Sequence, residues 1–199
     1  MTKLAVDVLI LPPDAIMDLA VNINKKFLQK FGGNLILDKN TSLPHLTLAM
    51  GIMEVRDLEL APPMIDRLAR DFLPIELIIS GVETYLQKNR QAIAGLIVDK
   101  SERLQKLHEA VIEKFKPLLS YDARSEYFFD VPKTEKLGEY WQSRGPEKNI
   151  LDKYSPHITL GFGEKTVLKE SVNFTANRIA ICHLGRYSTC RKILHEVTV

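Results

Sequence analysis

Pro44-His45-Leu46-Thr47-Leu48 and Pro156-His157-Ile158-Thr159-Leu160 are one pattern written twice in a chain of 199 residues. At ordinary residue frequencies a His-apolar-Thr-Leu string arises by chance roughly once per ten thousand positions. Two copies, both preceded by proline and both followed shortly by a glycine (Gly51 and Gly161), mark a repeated functional unit. Each copy reads as a strand, and strand side chains alternate between faces. His45 and Thr47 therefore share one face, while Leu46 and Leu48 anchor the other; His157 and Thr159 stand against Ile158 and Leu160 in the same way. Pro44 and Pro156 lack an N–H, which suits the first position of a strand.

The segments around the two copies alternate between strand and helix patterns. Leu4 to Leu11 is a buried strand, and Pro12-Pro13-Asp14 opens a helix with Asp14 near its cap. Ile16, Leu19, Ala20, Ile23, Phe27 and Phe31 form that helix's apolar stripe, which ends at Gly32-Gly33. Asn34 to Asp38 reads as a short strand, Leu46 to Met53 as the first motif strand, and Val55 to Phe72 as helical in its second half. Ile75–Leu86 and Gln91–Val98 read as strands joined by a hairpin turn at residues 87–90. Ser101 caps a helix running to Leu119, with Leu104, Leu107, His108, Val111, Ile112 and Phe115 on its apolar face. Ile158 to Phe162 carries the second motif, and Ile179–Leu184 and Lys192–Val199 close the chain as paired strands. Residues 120–153 are polar and mixed in charge, and read as a long loop or insertion near the cleft with one short helix around Lys136 to Gln142. This order is a mixed α/β or α+β fold in a single domain spanning residues 1–199.

Hydrophobic residues make up 45% and charged residues 26%, enough to build a real core. A net charge of +2 argues against a broad nucleic-acid-coating surface and favours a small anionic ligand or a short site. Cys182 and Cys190 read as two free thiols in a reducing compartment. The apolar start of the chain is broken by Asp7 and by Pro12-Pro13, so it reads as a buried strand rather than a leader, and no stretch reaches transmembrane length. A cytoplasmic, monomeric protein with no membrane partner is expected.

Two imidazoles with neighbouring hydroxyls suit phosphoryl chemistry. An unperturbed imidazole titrates near neutral pH, so one can accept a proton from water while another donates to a departing oxygen. Threonine hydroxyls can donate to non-bridging oxygens whose charge grows in the transition state. Two readings compete with this one. A lone histidine on a half-buried strand is usually a packed, hydrogen-bonded residue. Two histidines without clustered carboxylates or cysteines fall short of a zinc ligand set. No metal and no cofactor is expected.

At these residues the chain resembles the 2H phosphoesterase superfamily, which is defined by two His-x-Thr/Ser motifs and includes RNA 2′,3′-cyclic phosphodiesterases of the 2′-5′ RNA ligase type. The resemblance implies a bilobed α+β fold: two pseudo-symmetric lobes of antiparallel sheet plus helices around a central cleft lined by both motif strands. It implies metal-independent hydrolysis of a 2′,3′-cyclic phosphodiester, or of a related nucleotide or RNA-end phosphodiester. It further implies His45 and His157 as the acid/base pair, His45 the acid and His157 the base, with Thr47 and Thr159 as oxygen donors. Ligase-type bacterial members often place a basic residue and Phe-Leu-Gly after the first motif, where this chain has Ala49-Met50-Gly51. A nucleotide- or RNA-binding module with the same cleft and little turnover is the alternative function, and a purely structural protein is a third.

Other residues are weaker candidates. Tyr154, three positions before His157, is read as a substrate contact. Lys88 and Arg90 could meet a phosphate, although hairpin tips are usually solvated. Tyr127, Phe128, Phe129, Lys133, Tyr140, Trp141, Arg144 and Lys148 mix aromatics with cations, as a nucleotide lid would, but a packed loop accounts for them better. His108 reads as core, and His183 and His195 lack a matching threonine.

Overall fold

A computed structural model describes residues 2–86, 92–134, 153–168 and 170–199. Its strands are β1 (Lys3–Leu11), β2 (Leu46–Glu54), β3 (Ile75–Leu86), β4 (Ala92–Val98), β5 (Leu119–Ser120), β6 (His157–Phe162), β7 (Val172–Ala176), β8 (Arg178–Leu184) and β9 (Cys190–Thr198). The helices of more than two turns are α1 (Asp14–Phe31), α2 (Ala61–Phe72) and α3 (Glu102–Phe115). All of these strands join one curled antiparallel sheet in the order β7-β3-β4-β6-β2-β1-β8-β9, with β5 added on β2. The fold is α+β.

The strand order has a pseudo-two-fold at its centre. The two motif strands β2 and β6 meet there through the pair Leu46 and Ile158, which are equivalent positions of the repeat. β1 flanks one motif strand and β4 the other. The helices cross over: α1 leaves β1 and packs on β6, whereas α3 leaves β4 and packs on β2. Val6, Val8 and Ile10 of β1 meet Leu104, Leu107 and Val111 of α3 and Ile65 and Leu68 of α2 in one continuous core. Burial follows the expected alternation, since Leu46, Leu48, Ile158 and Leu160 are buried while His45, Thr47, His157 and Thr159 are partly exposed.

Several sequence expectations need correction. Asn34 to Asp38 joins no strand; the Leu35 carbonyl and the Leu37 amide are met by a side chain instead. Asn24 Nδ2 donates to the Leu35 carbonyl at 2.9 Å, and the Leu37 amide donates to Asn24 Oδ1 at 3.0 Å. Cap residue Ser101 accepts from the Leu104 amide at 3.2 Å as read, but α3 stops at Phe115 and a 3-10 turn leads into β5. β7 was unforeseen; it pairs with β3 along Ile75–Ile79. Cys182 and Cys190 are not free thiols but a disulfide, their Cα atoms 5.7 Å apart, brought together because β8 and β9 pair. The hairpin turn with Lys88 and Arg90, and the helix around 136–142, lie outside the described residues.

Candidate active site

The motif strands share a local irregularity that pattern reading does not reveal. Against β1, Leu9 faces Thr47 and Val8 faces Ala49, leaving Leu48 unmatched. Against β4, Gly95 faces Thr159 and Ala94 faces Gly161, leaving Leu160 unmatched. Each motif therefore carries a β-bulge directly after its threonine, and a bulge frees a backbone carbonyl that still needs a donor. The crossing helices supply it: His108 of α3 donates through Nδ1 to the Leu48 carbonyl at 2.7 Å, and Asn24 of α1 donates through Nδ2 to the Leu160 carbonyl at 2.8 Å. Gly161 takes the bend at φ +116°, where a side chain would meet Asn24 Nδ2 at 2.9 Å. Gly51 plays a different part: it lets β5 approach, so the two glycines after the motifs are not equivalent.

The two histidines are held alike. His45 Nδ1 donates to the Leu43 carbonyl and His157 Nδ1 to the Ser155 carbonyl, each at 2.8 Å and each two residues back. A carbonyl only accepts, so Nδ1 carries the proton in both rings and Nε2 is the nitrogen left for chemistry. The five residues singled out in the sequence, His45, Thr47, Tyr154, His157 and Thr159, line one cleft of about 360 Å³. The Tyr154 hydroxyl is committed within the protein, donating to the Thr47 carbonyl at 3.0 Å. Its ring lies parallel to that of His108, centroids 3.9 Å apart. Tyr85 leans on the His157 ring, centroids 5.3 Å apart.

The halves differ in their electrostatics. Burial holds His45 below the ordinary histidine range; the Leu43 carbonyl opposes this, and the charge of His157 adds to it. Burial, reinforced by the charge of Asp7, drives the Tyr154 phenol far above its usual value. Asp7 of β1 is fully buried behind the cleft wall, accepts from the Thr47 hydroxyl at 2.6 Å and lies 3.6 Å from His45 Nε2. Among the described residues no group of three or more His, Cys, Asp or Glu side chains is placed to hold a metal ion.

Sequence reasoning passed over Asp7, Asn24, Tyr85, Tyr121, Lys153 and Tyr187; the last four also line the cleft. His108 is buried, as read, but it also borders the cleft. Of the suggested lid, Tyr127 and Phe128 pack with Ala5, Ile52 and Leu184 instead of lining the cleft, and Phe129 and Lys133 do not line it either. Tyr140, Trp141, Arg144 and Lys148 lie outside the described residues. His183 donates through Nε2 to the Tyr127 carbonyl at 2.9 Å, and His195 Nε2 meets Asp66 Oδ1 at 2.8 Å; neither histidine lines the cleft.

The curled antiparallel sheet with its helices is the α+β fold of LigT-like structures. The chain belongs to the 2′-5′ RNA ligase superfamily, whose family model matches residues 38–179. No curated protein sequence matches it. Among solved structures it is similar to TT0787 of Thermus thermophilus, at 16% identity and a TM-score of 0.61 over 98% of this chain and 97% of that one. It is similar to Escherichia coli LigT complexed with NADP+, at 15% identity and a TM-score of 0.57 over 100% and 99% of the two chains. LigT complexed with 3′-AMP aligns at 16% identity and a TM-score of 0.53 over 99% and 98%. Among the described residues no helix is long and apolar enough to cross a membrane.

Proposed function

We propose that this chain is a phosphoesterase that opens a 2′,3′-cyclic phosphodiester, or hydrolyses a related nucleotide or RNA-end phosphodiester, by two-histidine acid/base catalysis without a metal ion. The observation that carries the reading is the matched pair of imidazoles, each locked through Nδ1 and each offering Nε2 to the same cleft. A nucleotide-sized ligand is supported by the complexes of LigT with NADP+ and 3′-AMP.

In the proposed reaction His157 Nε2 takes a proton from water as the water oxygen bonds to phosphorus. His45, protonated, gives its Nε2 proton to the ribose oxygen as the bond from that oxygen to phosphorus breaks. These are the roles implied by the family resemblance. Thr159 donates to a non-bridging oxygen. The whole chain acts as one bilobed, monomeric domain, with Tyr121 and Lys153 bordering the cleft. A cytoplasmic location goes with a nucleotide or RNA-end substrate, and the Cys182–Cys190 bond is the observation that pulls against it.

The test is hydrolysis of 2′,3′-cyclic nucleotides in EDTA by the wild type, His45→Ala and His157→Ala. Wild-type turnover with at least a roughly thousandfold loss in each folded variant is expected. Activity that survives either substitution overturns the mechanism. Nucleotide binding without turnover would leave a binding module.

A further inference from the structure

The two motif histidines are carried differently. His157 is itself a strand residue: it faces Ile97 of β4, and the Val98 amide donates to the carbonyl of Pro156 just before it at 3.0 Å. His45 precedes its strand, since β2 begins at Leu46. Leu43, whose carbonyl accepts from His45 Nδ1, is bridged instead to the start of β9, its amide donating to the Cys190 carbonyl at 3.1 Å. Cys190 is bonded to Cys182, and Leu43 packs with both cysteines in a small buried cluster that also holds Leu9, Leu11 and Met17.

The same bond closes the turn between β8 and β9. Within that turn Tyr187 and Ser188 have φ of +58° and +57°, a region that residues with side chains rarely adopt. Two such residues in succession persist only where their surroundings hold them. Both line the cleft. The Tyr187 hydroxyl donates to Asn34 Oδ1 at 2.7 Å, and its ring meets that of Phe162 edge-on, centroids 5.5 Å apart. Cys182 and Cys190, eight positions apart, clamp the turn from its two sides. One covalent bond therefore stands behind two parts of the cleft wall. The half built on His157 has no counterpart to it, because the chain has only 2 cysteines.

We infer that the Cys182–Cys190 bond is a redox switch on the cleft: intact, it holds His45 through Leu43 and the Tyr187–Ser188 wall through the turn; reduced to two thiols, it releases both and lowers activity. The activity half of this inference rests on the reading of the cleft as a phosphoesterase site. The reductant is a dithiol. Its thiolate attacks one of the two sulfurs, breaking the S–S bond and forming a mixed disulfide, and its second sulfur then displaces the protein. The dithiol leaves as a disulfide, oxidised by two electrons, and Cys182 and Cys190 each take up one of its two protons. A small-molecule disulfide reverses the exchange. Both cysteines are buried, but β9 ends the strand order among the described residues, so opening of an edge hairpin is enough to admit the reductant.

The experiment compares the oxidised chain, the same chain after dithiothreitol, the reduced chain reoxidised with oxidised glutathione, and the double variant Cys182→Ala/Cys190→Ala. Reduction in native buffer is expected to yield two titratable thiols with an unchanged far-UV circular dichroism spectrum. The kcat for 2′,3′-cyclic nucleotide hydrolysis should fall at least roughly tenfold, as misplacement of a reacting group predicts, and return on reoxidation. The double variant should sit at the reduced level and ignore dithiothreitol; if it does not fold, reduction of the wild type decides. NMR supplies the reading that a merely structural bond would not move. The His45 Nδ1 proton, protected in the oxidised chain, should be lost to solvent exchange on reduction, while that of His157 persists. A His45 proton that survives in the fully reduced chain overturns the inference, as does equal loss of both protons, wholesale unfolding, or a bond that dithiothreitol fails to reach in the folded chain. A wild type that hydrolyses nothing would refute the proposed activity, whereas the two ring protons would still decide whether the bond controls the cleft.

Discussion

The threonines are where the two halves separate most plainly. No described side chain takes the Thr159 hydroxyl, whereas Thr47 already serves Asp7. Thr159→Val should therefore lower kcat by about a hundredfold, in the range seen when one oxyanion donor is lost, and Thr47→Val by less than about tenfold. Single-turnover rates on a cyclic nucleotide check this, and equal losses would mean that the Thr47 hydroxyl leaves Asp7 for the substrate. Both motifs were legible in the sequence because everything that defines them lies within five consecutive residues. Asp7 was not, since a lone acid in an apolar strand looks like a break in the pattern. Its meaning depends on which residue of β2 it faces, and that register is a tertiary fact.

Helices α1 and α3 do more than cover the sheet: each supplies the hydrogen-bond donor that the bulge of the opposite motif needs. Asn24 makes three buried hydrogen bonds, donating to Leu160 O of the bulge and to Leu35 O and accepting from the Leu37 amide. Asn24→Leu keeps the volume and strands those backbone groups, so a loss of about 3 kcal/mol is expected in urea unfolding, with weaker turnover in what remains folded. A loss below about 1 kcal/mol would mean that water replaces the side chain. Asn24 escaped notice because it sits inside the apolar stripe that identified α1. The stripe located the helix well and hid its one polar anchor. β7 was missed for a different reason: Val172–Ala176 is short and becomes a strand by pairing with β3. The predicted strand at 34–38 failed conversely, because an asparagine rather than a neighbouring strand met its backbone.

For the molecule as a whole, the buried titratable groups frame a window of pH. His45 and His183 both sit below the ordinary histidine value of 6.5, chiefly through burial. A histidine depressed in the folded state charges more readily when unfolded, so stability present above about pH 6.5 is lost as pH falls through the folded values. Tyr154 is raised above its reference of 10.0, chiefly by burial, so stability is lost as pH climbs past about 10 and the unfolded phenol ionises first. Urea midpoints should form a plateau between these limits. Tyr154→Phe should flatten the alkaline edge while costing about 1 kcal/mol on the plateau, for the hydrogen bond to Thr47 O. An alkaline edge unchanged in that variant would assign it elsewhere. The α+β class followed from the sequence, but the pairing of the two motif strands and the exchange of helices between the halves did not, because periodicity gives an element its apolar face without naming the partner.

That seam is narrow. Among the described residues β2 and β6 pair at Leu46 and Ile158 alone, while each strand is bound along most of its length to its outer neighbour. Side chains make up for it: His108, Asn24 and the Tyr154 hydroxyl each reach from one half to a backbone carbonyl of the other. The spacing of the two imidazoles is therefore held less by the strand ladder than by side chains that act as tie-rods across it.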